Sequence, residues 1–353
     1  MEPMMTTPET TVGGVLLITL GDAGGLGPEL AARVLPTTPL RRTWRLVMLG
    51  SEASLLRHVL RRGESPFWTR LDPATGLATD LATLAPGVYL LEPPTLHGLA
   101  PDIGQPTVAG GRSAGAALEL ACELLRQDRA RGVVTLPLHK AMLKAAGYDF
   151  PGHTELFAEH AGLSREDVTM HLCGERLRVS LVTTHPPLAA VPGLVTQARV
   201  LQTILHTHRF LDDLDLPRRR LAVCGLNPHA GESGTIGREE IEIIEPALAV
   251  ARAHGCEVHG PLPGDTVFHR AVHGEFDAVV AMYHDQGLAP LKLLHFNEAV
   301  NVTLGLPFVR TSVDHGTGFD LAGADAASTT SFTAALELAA RLVTRREATC
   351  TAA

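Results

Sequence analysis

The sequence predicts an α/β fold built mostly on parallel strands. Three observations lead there. Short apolar segments alternate with amphipathic segments along most of the chain. Glycine, histidine and lysine gather just after the apolar segments, where open α/β sheets bind their ligands. The composition, 45% hydrophobic and 19% charged over 353 residues, suits a chain that buries large cores and excludes a disordered one. That length is long for one domain and comfortable for two.

The expected strands are residues 15–20, 44–49, 87–91, 132–136, 177–183, 220–225 and 276–282. Helices are expected over 114–126, 238–254 and 330–345. In the last, Phe332, Ala335, Leu336, Leu338, Ala339 and Leu342 recur at helical spacing. The Gly/Pro-rich stretch 92–111 reads as a loop. No linker stands out, which predicts domains that the chain enters more than once.

Composition also excludes function classes. Net charge is −8, so a nucleic-acid partner is not expected. Five scattered cysteines without a C-x-x-C pair argue against a disulfide framework and a structural zinc ribbon. No apolar run reaches the roughly 18 residues of a membrane span. The opening MEPMMTTPETT reads as a tail and not a signal peptide, and a cytoplasmic location is expected. Only three of the 30 basic residues are lysine: Lys140, Lys144 and Lys292. Compositional bias accounts for the scarcity, but Lys140 falls at an expected strand end.

Three histidines each start a loop after an expected strand: His185, His229 and His284. Three neutral imidazoles meeting at one point would form an open-sided site for zinc, cobalt or nickel, able to polarise a substrate oxygen. Alternatively, each caps a strand end. Glycines 231, 234 and 237 precede the helix expected from Arg238. Such a turn can aim backbone N–H groups at an anion, or be a plain glycine-rich turn. His153 and Thr154 precede another helix and could bond a phosphate or hydroxyl, or Thr154 could be an ordinary N-cap. Lys292, Asn301 and Arg310 mix cations with an amide, and Arg310 sits in an apolar context. A buried cation needs either an anionic ligand or an internal carboxylate. The run Asp314–Gly323 is dense in Gly, His and Asp but carries no G-x-G-x-x-G spacing.

These residues lie within longer motifs. They are ITLGDAGGLGPE (18–29), TLPLHK (135–140), GHTE (152–155), TTHPPL (183–188), GLNPHAGESGTIGREE (225–240), GDTVF (264–268), MYHDQGLAPLK (282–292) and VNVTLGLPFVRTSVDHGTGFDLAG (300–323). Together they resemble the 4-hydroxythreonine-4-phosphate dehydrogenase family of pyridoxal 5′-phosphate biosynthesis, over nearly the whole chain. The resemblance implies an isocitrate/isopropylmalate dehydrogenase-like fold of two α/β/α domains with a cleft between them. The expected domains are 1–138 with 313–353, and 139–312. It implies a homodimer with shared active sites and one divalent metal, Zn, Mg or Co, on His185, His229 and the partner's copy of His284. It implies substrate contacts from His153, Thr154, Lys292, Asn301 and Arg310, and NAD or NADP at Asp314, His315, Gly316, Thr317 and Asp320. Lys292, Asp265 and Asp285 are the candidates for catalytic roles. Departures from the family pattern occur at Ala23-Gly24, Leu136 and Gly318, which bear on local backbone shape and cofactor preference.

The implied reaction oxidises the C3 hydroxyl of 4-phosphooxy-L-threonine and then releases CO2, leaving 3-amino-2-oxopropyl phosphate. Related readings are a dehydrogenase of D-threonate or D-erythronate 4-phosphate, a dehydrogenase of a cyclic dihydrodiol dicarboxylate, and a phosphate acyltransferase sharing the fold type.

Overall fold

The computed structural model describes residues 13–72, 79–150 and 152–352. The opening tail lies outside the described residues. The chain forms two compact units: one runs to Tyr148 and adds Thr317–Ala327, and the other takes Asp149–Gly316 and the chain from Ser328 onward.

The first unit holds β1 (Val15–Thr19), β2 (Arg45–Leu49), β3 (Thr69–Leu71), β4 (Gly87–Leu91) and β5 (Gly132–Thr135). Its strands run in the order β3-β4-β2-β1-β5, and all pairings are parallel. Parallel strands are covered on both faces, which is why β1 reads as the unbroken run VLLIT and is buried at every residue. The helices are α1 (Leu26–Val34), α2 (Glu52–Arg61), α3 (Val108–Arg126) and α4 (Lys140–Ala145). Side-chain caps start three of them: Ser51 accepts from Ser54 N–H, Thr107 from Gly110 N–H and His139 from Met142 N–H. In α3, Gly111 and Gly115 admit close neighbours. A Cβ there would come within 2.1 Å of the Met142 carbonyl oxygen and the Tyr148 ring, respectively.

Asp22, fully buried in the turn after β1, lies against Gly110 of α3, where a Cβ would sit 2.1 Å from its Oδ1. Burial raises its pKa above 3.8, although the Gly24 N–H bond and His139 pull the other way. A carboxyl whose folded pKa is raised carries its penalty above that pKa and loses it as pH falls below the unfolded value. Asp22→Asn keeps an acceptor for Gly24 N–H (2.9 Å). It should raise Tm at neutral pH, with the gain vanishing in acid. Thermal melts at several pH values check this.

The second unit holds β6 (Thr169–Cys173), β7 (Arg178–Leu181), β8 (Leu221–Cys224), β9 (Val258–Leu262), β10 (Ala278–Ala281), β11 (Val300–Leu304) and β12 (Val309–Val313). Its order is β12-β11-β6-β7-β10-β8-β9. Strands β7, β10, β8 and β9 are parallel, whereas β12, β11, β6 and β7 pair antiparallel. The expectation of parallel strands therefore holds in the first unit and in only part of the second. Its core includes Leu172, Val179, Leu181, Ala222, Val279 and Leu291.

Helices of this unit are α5 (His153–His160), α6 (Val191–Leu194), α7 (Gln197–Asp213), α8 (Glu245–Ala253), α9 (Val267–Val272), α10 (His284–His295) and α11 (Thr330–Ala352). A π-helical turn, Glu240–Ile244, precedes α8. The first domain expected from the sequence includes 313–353, whereas α11 falls in the second unit. Hydrogen bonds hold it there: Thr311 Oγ1 donates to the Ala335 carbonyl, and Ser331 Oγ to that of Ala299. Among the described residues no single helix is long and apolar enough to cross a membrane. Cys122, Cys173, Cys224 and Cys256 are free thiols.

Candidate active site

Parallel neighbours β7, β10 and β8 end on the same edge of their sheet, so their loops emerge side by side. His185 lies in the loop after β7, His284 opens α10 after β10, and His229 lies in the turn after β8. Thr183 ties the first two loops together. Its N–H and Oγ1 both donate to the Met282 carbonyl, at 3.1 and 2.8 Å. The rings of His185 and His284 stand 5.3 Å apart. Asp285 Oδ1 lies 2.7 Å from His284 Nδ1. A carboxylate at Nδ1 holds the proton there and leaves the Nε2 lone pair for a ligand.

His229 is carried on unusual backbone. Residues His229, Ala230, Gly231, Glu232 and Ser233 all have positive φ, from 45° to 78°. Left-handed conformation normally occurs as single residues and costs about 1–3 kcal/mol at a non-glycine position. Glu240, only 2% exposed, supports the turn. Its Oε1 accepts from the backbone N–H groups of Leu226 (2.7 Å) and Asn227 (2.8 Å), and its Oε2 from Asn227 Nδ2 (3.0 Å). These two backbone donors precede the glycines of the turn and meet the chain's own carboxylate. Gly231 makes room for it: with φ of 78°, a Cβ would meet Glu240 Oε2 at 2.5 Å. Gly231→Ala should cost about 1–3 kcal/mol of stability, read from denaturant unfolding.

The cations lie in the same unit. Lys292 in α10 places its Nζ 3.1 Å from Asp314 Oδ2. Burial raises the Asp314 pKa, while Lys292, His315 and His284 lower it. Arg310 on β12 is 3% exposed and donates from Nη1 to Thr303 Oγ1 (3.0 Å). Burial brings its pKa down to about 10, against the opposing pull of Glu155. Glu155 itself lies 3.6 Å from Arg165 Nε. Asn301 sits mid-sheet on β11, opposite Ser312 and Leu172. His153 and Thr154 open α5, whose N-cap is Gly152, so Thr154 is not the cap.

The remaining residues are dispersed. Asp314, His315 and Gly316 belong to the second unit, and Thr317 and Asp320 to the first. The Thr317 carbonyl accepts from Leu26 N–H at 2.9 Å, which seats this segment on the glycine-rich turn after β1. Asp320 and His315 are exposed. Asp265, after β9, is exposed as well. Lys140 and Lys144 are exposed on α4 in the first unit.

Among the described residues, no three His, Cys, Asp or Glu side chains form a metal-holding group. One chain therefore pairs His185 with His284 and does not bring His229 to them. The pair nevertheless has the donor chemistry of a metal site: two adjacent imidazoles, one oriented by a carboxylate. Sequence reasoning missed Thr183, Gln286, Glu240 and Glu155 as supporting groups. All four lie inside the quoted motifs, but their contacts are not revealed by spacing.

Comparison with known proteins settles the family. The profile of the family described as "Pyridoxal phosphate biosynthetic protein PdxA" matches residues 49–339. The chain belongs to this family. A PdxA-family relative, the 4-hydroxythreonine-4-phosphate dehydrogenase of Geobacter metallireducens, is 47% identical, covering 93% of this chain and 95% of its own. The D-threonate 4-phosphate dehydrogenase of Cupriavidus necator is 40% identical, covering 94% and 98%. The crystal structure of the Klebsiella pneumoniae 4-hydroxythreonine-4-phosphate dehydrogenase matches with a TM-score of 0.80 at 37% identity, covering 94% of this chain and 99% of that one. The mixed α/β fold of the two units is thus that of solved PdxA-family structures.

Proposed function

We propose that this protein is an NAD(P)- and metal-dependent dehydrogenase that oxidises 4-phosphooxy-L-threonine at C3 and decarboxylates the product to 3-amino-2-oxopropyl phosphate. The observation that carries the reading is the His185–His284 pair at two strand ends, in a unit that also holds Lys292 and Arg310. Family membership and the Geobacter relative support it. The two compact units support an isocitrate/isopropylmalate dehydrogenase-like architecture. Leu293 and Phe296, 86% and 74% exposed at the end of the helix that carries His284 and Lys292, support a second copy of the chain packing there.

His185, His229 and His284 would hold one divalent ion, Zn, Mg or Co, with the set drawn from two copies of the chain. When bound, the ion supplies Lewis-acid polarisation of the substrate oxygen, and the nicotinamide supplies the hydride acceptor. Lys292 and Arg310 bind the anionic groups of the substrate, with Arg310 offering a fork that matches phosphate or carboxylate. His153, Thr154 and Asn301 add hydrogen bonds that orient it. Asp285 holds His284 in the tautomer that presents Nε2. Asp265, exposed on its loop, accepts a proton. Asp314, next to Lys292, restrains that ammonium until substrate arrives. The segment Asp314–Asp320 would line the nicotinamide cofactor, with the exposed Asp320 suited to ribose hydroxyls.

The Cupriavidus relative favours a second reading, oxidation of D-threonate 4-phosphate. NAD(P)H absorbance with 4-phosphooxy-L-threonine, D-threonate 4-phosphate and D-erythronate 4-phosphate separates them. The main reading expects the highest kcat/KM with the first, lost to chelator and restored by a divalent metal. A preference for either sugar acid would replace it with the second reading.

A further inference from the structure

One side chain joins the strand-end loops. Gln286, in the first turn of α10, accepts from Met282 N–H through Oε1 (2.7 Å) and donates through Nε2 to the Gly225 carbonyl (2.8 Å). Met282 leads from β10 into His284, and Gly225 leads from β8 into the left-handed turn that carries His229. A third loop closes on the same amide. A Cβ on Gly264, next to Asp265 after β9, would lie 3.1 Å from Gln286 Nε2. The Met282 carbonyl in turn accepts from Thr183, two residues before His185. The connection therefore runs from Thr183 through Met282 and Gln286 to Gly225, and on through Leu226 and Asn227 to the buried Glu240. An amide suits the middle link, because one end accepts from an N–H while the other donates to a carbonyl.

We propose that Gln286 is a positioning residue that holds in place both the loop bearing His229 and the loop bearing His284, and thereby sets the affinity of the metal sites to which each loop contributes. Its side chain need touch neither metal nor substrate. The inference rests on the metal reading proposed above. Outer groups that orient ligands typically change metal affinity by about 10–100-fold when removed.

The test uses Co2+ as probe, followed by its visible absorption during titration of the full-length protein, beside Tm and kcat. Gln286→Leu keeps the approximate volume and removes both bonds. Gln286→Glu keeps the acceptor for Met282 N–H but sets an oxygen against the Gly225 carbonyl, and it maintains the test if the leucine variant fails to fold. Both should weaken Co2+ binding by about 10-fold or more and alter the absorption band. A lowered Tm with unchanged Co2+ affinity and band would make the residue merely structural and overturn the proposal. If the wild type binds Co2+ and the variants bind it equally, the positioning role alone fails. A wild type that takes up no Co2+, or that keeps its affinity after His229→Asn, would overturn the metal reading and this inference with it.

Discussion

His229→Ala is expected to lower kcat by about 10^3-fold or more and to leave the purified protein without its divalent metal. The side chain is exposed, so its removal opens no cavity in the core. The backbone is the risk, because residue 229 has a φ of 51°. Asparagine tolerates that region better than alanine, so His229→Asn separates loss of the imidazole from loss of the turn. Both variants should retain the wild-type far-UV spectrum. Metal content per chain and kcat, measured on the same preparations, check the result. Full turnover by either variant in the presence of a chelator would remove His229 from any metal role.

Lys292→Arg should lower kcat/KM by about 10^2-fold, although the charge is conserved. The Lys292 ammonium sits 3.1 Å from Asp314 Oδ2, whose side chain is 12% exposed. That space accommodates a compact point charge. A planar guanidinium would pair with Asp314 through two nitrogens and be harder to release to a substrate anion. The loss should fall mainly on KM if Lys292 only binds, and on kcat as well if it meets charge that develops during reaction. Lys292→Met should be at least as damaging. By contrast, Lys144→Arg, on the exposed face of α4, should leave both constants unchanged.

The scarcity of lysine thus acquires a structural reading. Lys140 and Lys144 are exposed on one short helix of the first unit, and Lys292 alone contacts a largely buried carboxylate.

The legible part of the fold was the part made of unbroken apolar strands. Strands β1, β2, β4, β5, β8 and β10 are mostly buried and read as nearly continuous apolar runs, and β7 (RVSL) is flanked by the apolar Leu177 and Val182. Strands β6, β11 and β12 escaped notice because they place His171, Asn301, Thr303, Arg310 and Ser312 among apolar neighbours. His171 meets Ser180 at 2.8 Å and Arg310 meets Thr303 at 3.0 Å, so these strands look like motifs and not core elements. The antiparallel half of the second unit was lost with them.

The placement of His185, His229 and His284 just after β7, β8 and β10 was legible because each follows an apolar strand. The left-handed turn was not, because Ala230, Glu232 and Ser233 are not residue types that announce positive φ. Neither was Glu240, which looks like the acidic start of a helix but is buried and bonded to the turn. The backbone donors that meet an anion are those of Leu226 and Asn227, ahead of the glycines at 231, 234 and 237. The structure supplies that anion from within the chain.

Oxidation coupled to decarboxylation of one phosphorylated amino acid is put to the test with 4-phosphooxy-L-threonine labelled with 13C in its carboxyl group, following 13CO2 and NAD(P)H together. Equal amounts of both are expected, abolished by chelation and by His229→Asn. Formation of NAD(P)H without 13CO2, or of neither product with metal and both cofactors present, would overturn the proposed reaction.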